Sequence, residues 1–128
     1  MLPPVTLQQN ASMSDLLTAA KGIVTALNAT LQNQQLVTGS SSASGVNVAT
    51  VIKTFPGRIV SINVAVAGST AGAAYDLASL VGVILGTTTA NLICAIPNTV
   101  GITNLGFTTT NGISVIPGSG QVISIVYS

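Results

Sequence analysis

The sequence predicts a mainly β protein: a jelly-roll-like antiparallel β-sandwich preceded by an amino-terminal α-helix. Short apolar runs rich in Val and Ile fill residues 46–128, and Gly, Pro and Asn turns separate them at roughly the 8–12-residue spacing of sandwiches and barrels. Residues 1–37 carry a helical apolar repeat instead. No helix-length repeat interrupts the strands, which argues against a parallel α/β sheet.

The predicted helix begins at Ser12 or Ser14, because either side chain can cap free backbone N–H groups, and Asp15 then lies in the first turn. Its apolar residues form one wide stripe, predicted to be an anchoring or oligomerisation surface: Leu16, Leu17, Ala20, Ile23, Val24, Leu27 and Leu31.

The stripe must rest against something, since an isolated helix of this length is marginal in water. Three partners are open: the β-domain of the same chain, the same helix of sister subunits, or a groove of a larger partner. Residues 38–45, TGSSSASG, have the composition of a flexible linker. A loose tether favours the second and third partners. The predicted organisation is therefore a helical arm at 1–37, a linker at 38–45 and a sandwich at 46–128.

The predicted strands follow the alternation of apolar and polar residues. They cover residues 46–52, 58–66, 73–76, 81–85, 91–96, 101–108, 113–116 and 121–127. A jelly roll is the preferred topology among the Greek-key sandwiches that this pattern allows.

Charge is scarce. The chain has three Lys or Arg and two Asp or Glu, a net charge of +1, and a mean hydropathy of +0.72. Charged residues are 4% of the chain, against roughly 25% in ordinary soluble domains. Because a free monomer usually depends on surface charge for solubility, we expect hydroxyls, amides and neighbouring subunits to cover this surface.

The composition supplies few groups for catalysis. His and Glu are absent, and Asp15 and Asp76 are far apart in sequence. A metal site, a Ser-His-Asp triad and a paired-carboxylate site each need more than this. We therefore expect no enzyme activity, no cofactor and no small-molecule substrate. We expect Cys94, inside an apolar run, to be a buried core residue.

Other partners are also poorly supported. Three cations are too few to neutralise the phosphates of a nucleic acid. The longest apolar stretch, 77–85, contains Ser79 and Gly82 and falls far short of the roughly 20 residues of a membrane-spanning helix. The first residues lack a basic region followed by an apolar run, so no signal peptide is expected. Asp76 can pair with Arg58 or accept turn N–H groups, and both residues are predicted to form a structural loop pair.

Several turn and strand-end sequences in residues 51–128 carry a family resemblance. They are KTFPGR at 53–58, AGSTAG at 67–72 leading to Tyr75 and Asp76, IPNTVG at 96–101, and NGI at 111–113 through PGSGQ at 117–121 to the final Tyr-Ser. With these, the chain resembles small β-sandwich virion proteins of tailed bacteriophages, of the head decoration, cement or head-fibre type. The resemblance implies a domain that projects from or clamps the capsid surface, as a dimer or trimer, and it does not cover the helix.

The expected function is that of a capsid decoration or cement protein, made in the host cytoplasm and located on the virion surface. Its expected partners are further copies of itself, with a trimer favoured over a dimer, and the major capsid protein. The helix and first residues would anchor the protein while the sandwich associates with its copies. Two alternatives remain: a head-fibre, spike or tail module that binds a receptor or glycan, for which Tyr75 and Phe107 are the aromatic candidates, and a small enzyme of unknown type.

Overall fold

The computed structural model describes residues 3–128, and it describes the side chains of residues 12–35 and 37–128. The chain divides into two compact units, Met1–Gln34 and Gln35–Ser128. The described residues form one helix and eight strands: α1 (Pro3–Thr38), β1 (Ser41–Val46), β2 (Thr50–Lys53), β3 (Gly57–Val66), β4 (Gly72–Tyr75), β5 (Leu92–Ile96), β6 (Gly101–Thr109), β7 (Ile113–Ile116) and β8 (Val122–Tyr127). The prediction of a mainly β protein preceded by a helix is confirmed.

The strands form two four-stranded sheets with the orders β1-β8-β3-β6 and β2-β7-β4-β5. All neighbouring strands are antiparallel. Successive strands alternate between the two sheets, except that β4 and β5 are neighbours in one sheet. This is the strand order of a jelly roll, which winds eight strands into two Greek keys. The predicted jelly-roll-like sandwich is confirmed.

The core between the sheets is aliphatic. Ile62 and Val64 of β3 and Ile123 and Ile125 of β8 alternate with less buried neighbours along their strands, so one face of this sheet supplies the core. The facing sheet contributes four members of the same cluster: Ala74, Ile96, Ile113 and Val115. Each fully buried Val or Ile contributes about 1.5–3 kcal/mol to folding before the entropy cost is subtracted.

The helix is longer than predicted. It begins at Pro3, so Ser12 and Ser14 lie in its interior and Asp15 is not in its first turn. Proline is tolerated in the first turn because the first N–H groups of a helix have no intrahelical acceptor. The prediction of a start at Ser12 or Ser14 was wrong because a capping residue type inside a helix looks the same in sequence as one at its end.

The segment 38–45, predicted to be a flexible linker, contains most of strand β1. Gly39, with φ +93°, ends the helix, and its N–H donates to the carbonyl of Gln35 at 2.9 Å. Residues from Ser41 onward form β1, which pairs with β8 and continues past a bulge between Ala43 and Val46 that contains Gly45 at φ +68°. Composition predicted flexibility, but the open edge of β8 gives these backbone groups partners.

Two predicted strands also differ. The single strand predicted at 46–52 is two strands, the end of β1 and β2, which lie in different sheets. Residues 81–85 form turns rather than a strand: Val83 N–H donates to the Leu80 carbonyl, and Ile84 N–H to Thr88 Oγ1. Because a strand and an apolar loop share the same composition, sequence did not separate them.

The connection between β4 and β5 covers the outer side of its sheet. Tyr75 is 1% exposed, and its hydroxyl donates to the Thr88 carbonyl at 3.2 Å. On β7, the buried Ser114 hydroxyl donates to the Leu77 carbonyl at 2.7 Å. All four residues of β4 are consequently buried, on both faces of the sheet.

Candidate functional site

The predicted anchoring residues all lie on α1, at the three- and four-residue spacing that places side chains on one side of a helix. All of them are exposed. Among the large side chains, exposure runs from 54% at Leu31 to 70% at Leu16. This apolar side, called here the α1 face, is an exposed hydrophobic surface of the kind that marks interaction sites in proteins.

Sequence reasoning missed one large side chain of the α1 face. Met13, 70% exposed, lies three residues before Leu16 and therefore on the same side of the helix. It was left out because the helix was predicted to start at Ser12 or Ser14. The spacing to Leu16 was the signal that could have found it.

The helix presents little charge outside this face, and three of its threonine hydroxyls are paired within the helix. Asp15 and Lys21 are its only charged residues. The hydroxyls of Thr18 and Thr25 donate to carbonyls four residues earlier, at 3.0 Å in both cases, and the Thr30 hydroxyl does the same at 2.9 Å. Such back-bonding satisfies the hydroxyl donors within the helix.

The sandwich also exposes large apolar side chains. Val81 is 92% exposed and Ile84 62% exposed, both in the connection between β4 and β5. Val100 and Ile102, at the start of β6, are each 69% exposed. Sequence could not separate these residues from the core, because Val and Ile fill both sets. From residue 77 to residue 128 the chain contains no charged side chain to offset them.

Strand β6 is an edge of its sheet, because it pairs with β3 alone. Its pairing is irregular between Ile59 and Ser61 of β3, where Leu105 and Gly106 bulge from β6. Natural edges are usually protected by charges, prolines or bulges. Strand β6 itself carries no charged residue, but it has a bulge, and the Arg58 guanidinium of β3 lies beside Gly106 in that bulge.

Asp76, at the end of β4, organises the turn before β7. Its carboxylate accepts the N–H groups of Thr110, Asn111 and Gly112 at 2.8–3.3 Å and the Thr110 hydroxyl at 3.0 Å. Partial burial by itself would raise the pKa of this carboxyl group, but these hydrogen bonds outweigh burial and lower the pKa below its ordinary value of 3.8.

Two roles were left open for Asp76, pairing with Arg58 or acceptance of turn N–H groups, and these contacts correspond to the second. Arg58 is the second residue of β3 in one sheet, whereas Asp76 follows β4 in the other. The Arg58 N–H donates to the Ser128 carbonyl at 3.0 Å, and the Ser128 N–H donates to the Arg58 carbonyl at 2.9 Å. Its side chain lines a shallow depression beside Lys53 and Thr108, and its Nε atom is buried without a hydrogen-bond partner.

Little in the described part of the chain points to chemistry. Cys94 is half-buried against the core, and burial raises the pKa of its thiol, which disfavours the reactive thiolate. No three His, Cys, Asp or Glu side chains lie together among the described residues. In the same part of the chain, no helix is both long and apolar enough to cross a membrane.

No family model matches the chain, and neither a curated protein nor a solved structure matches it.

Proposed function

We propose that the protein is a structural component of a bacteriophage virion: a decoration or cement protein that binds the head surface and bridges or stabilises capsid subunits. The observation that carries the proposal is an exposed apolar, almost uncharged surface, present on the α1 face and on the sandwich. A protein that works alone in solution is poorly served by such a surface. A protein that functions inside an assembly can bury such a surface against neighbouring subunits.

The jelly roll supports the proposal at the level of architecture. Capsid domains are among the proteins that use two Greek keys of this kind, alongside lectin domains and cupins. Because one fold serves many functions, the strand order alone does not select among them. The scarcity of charge and of catalytic side chains favours a structural role over the enzymatic members of these groups.

Cementing follows from mass action. A protein that binds the assembled shell and not its separated subunits stabilises the shell in proportion to RT ln(1 + [L]/Kd), where [L] is the free protein concentration. At about 100 times Kd the gain is about 2.7 kcal/mol for each bound copy. Contacts made by burying Val, Ile and Leu deliver this stabilisation without dependence on ion pairs.

The proposal includes partners and place. The partners are further copies of the chain and the major capsid protein, and the place is the outer surface of the virion, reached after synthesis in the host cytoplasm. No nucleic acid, membrane or small-molecule substrate is involved, and the role is not enzymatic.

The test uses virions that lack the protein and the purified full chain. We expect heads without it to open at lower temperature or milder osmotic shock, and adding the chain back to restore resistance at a saturable number of copies per head. Heads that resist both stresses equally with and without the protein contradict the cementing role. Heads that bind none of it contradict the decoration role altogether.

One observation favours the second candidate, a receptor- or glycan-binding module of a fibre, spike or tail. Phe55 is 70% exposed in the turn between β2 and β3, and exposed aromatic rings are used to stack on sugars. Tyr75, expected as part of such a site, is buried, and Phe107 is 43% exposed. Specific binding on a glycan array, lost on Phe55→Ala, would favour this candidate over the cement role.

A further inference from the structure

The α1 face follows a heptad repeat. Between residues 13 and 31 the spacing alternates three and four residues along Met13, Leu16, Ala20, Ile23, Leu27 and Thr30. In heptad notation these are successive a and d positions, beginning with Met13 at a. Since this repeat averages 3.5 residues and a straight helix turns every 3.6, the seam stays in contact with a partner only if the helices supercoil. A partner that is itself a helix can match this repeat.

The positions beside this seam are apolar as well. The e positions are Leu17, Val24 and Leu31, and two g positions are Ala19 and Ala26. In two-stranded coiled coils the e and g positions lie at the rim and usually carry Glu or Lys. One partner helix leaves much of this wider face uncovered. Two partner helices, one on each side, cover it.

Charge places no obstacle to packing copies of the face together. Asp15 is at a c position and Lys21 at a b position, both on the outward side of the heptad. Thr30 occupies a d position, but its hydroxyl already donates to the Ala26 carbonyl at 2.9 Å. Burying Thr30 therefore leaves its hydroxyl donor paired.

The area of the α1 face lies between that of a small interface and that of a standard one. Seven large side chains on the face, Met13 among them, are 54–70% exposed. At about 60–120 Å² for each large aliphatic side chain buried, they supply about 400–800 Å² per copy. A standard protein interface buries about 800 Å² per partner. The chain has a single described helix with this repeat, so other copies of the chain are the helices that match it.

We propose that α1 packs with α1 of two further copies as a parallel three-stranded coiled coil. Three identical chains in a closed assembly are related by a threefold axis, and this symmetry makes the helices parallel. The inference deepens the proposed function and rests on it for the biological setting. It assigns the α1 face to sister copies and leaves contact with the head to other surfaces.

The first test measures the mass of the purified full chain in the absence of heads, by light scattering or sedimentation. We expect three times the chain mass of 12.7 kDa. Leu27→Asp, at an a position, should weaken association by about 100-fold or more because it buries an unpaired charge. Asn28→Asp, its outward neighbour, is the matched control and should keep the trimer. Circular dichroism of the β signal checks that both variants keep the sandwich.

The second test measures helix direction by cross-linking in a Cys94→Ser background. Leu16→Cys places a thiol at a d position, where parallel copies bring it together and antiparallel copies separate it. We expect oxidation to link Leu16→Cys chains in pairs and to leave the control Lys21→Cys, at an outward b position, unlinked.

Several outcomes overturn the inference: a one- or two-chain mass, an unchanged mass for Leu27→Asp, or no cross-link at Leu16→Cys. These outcomes are distinct from failure of the proposed function. A trimer that does not bind heads leaves the inference standing and removes the cement role. A monomer that binds and stabilises heads removes the trimer inference and leaves the cement role standing.

Discussion

At the scale of single residues, the clearest polar device is the Asp76 carboxylate beneath the 110–112 turn. It accepts hydrogen bonds from three consecutive backbone N–H groups and one hydroxyl, and so fixes the chain just before β7. A chain with two acidic residues uses one of them to hold its own backbone. The role of Asp76 is structural, and its charge is directed at the turn rather than at a partner.

Replacing Asp76 with Asn should destabilise the sandwich at neutral pH by about 1 kcal/mol, after allowance for solvent screening at this partly exposed site. The folded-state pKa is lowered, so the contribution is fully present above the unfolded value of about 3.9 and is lost as pH falls through the folded pKa. Thermal unfolding of the wild-type protein and of Asp76→Asn at pH 7 and near pH 2 measures this difference in stability.

The control is Asp15→Asn, which removes the same charge from an exposed position of α1 and should leave sandwich unfolding unchanged. If wild type and Asp76→Asn differ by the same amount at both pH values, the carboxylate is not what holds the turn.

At the scale of elements, the junction between α1 and β1 matters most. Gly39 is the residue after the helix, and a Cβ there would meet the side chain of Val126. The next residue, Ser40, donates its N–H to the Tyr127 carbonyl at 3.1 Å, just before β1 begins. Gly39 and Ser40 are therefore held against β8 within the second compact unit.

We expect Gly39→Ala to destabilise the sandwich by about 2 kcal/mol, because alanine is strained at positive φ and its methyl group has no room. Gly22→Ala is the matched substitution. Its Cβ meets nothing within 4 Å, and it should strengthen the helix by about 1 kcal/mol. Urea unfolding followed by circular dichroism measures both, and a neutral Gly39→Ala would show that the turn can open without cost.

At the scale of the whole molecule, the dominant property is the lack of charge. Ion pairs between exposed groups weaken as salt screens them, with a Debye length of about 10 Å at 0.1 M. This chain has five charged side chains in all, three basic and two acidic. The proposed self-association and the proposed contacts with the head must therefore depend on apolar burial and neutral hydrogen bonds.

We expect the association of the purified chain, and its binding to heads, to change by less than about threefold between 50 and 500 mM NaCl. The measurement is the midpoint of assembly or binding against protein concentration at each salt. A fall of tenfold or more with added salt would mean that Lys21, Lys53 or Arg58 makes an essential ionic contact.

Much of the fold followed from local sequence alone. Alternation of Ile and Val with other residues located β3 and β8, because one face of a strand must be buried and the other need not be. The stripe from Leu16 to Leu31 located the helix and the residues of its exposed face for the same kind of reason, a repeat with a fixed period. These signals are carried by neighbouring residues, so they need no knowledge of distant ones.

Tertiary structure decided what depends on distant partners. Ser41–Val46 became a strand because β8 offered an open edge, and residues 81–85 form turns in the connection between β4 and β5, where Val81 and Ile84 stay exposed. The Asp76 carboxylate binds the 110–112 turn, which is 34–36 residues away in sequence, so local sequence could not choose this turn over Arg58. Local pattern determined which residues are apolar and periodic, whereas the pairing of chain segments far apart in sequence determined which of them are buried.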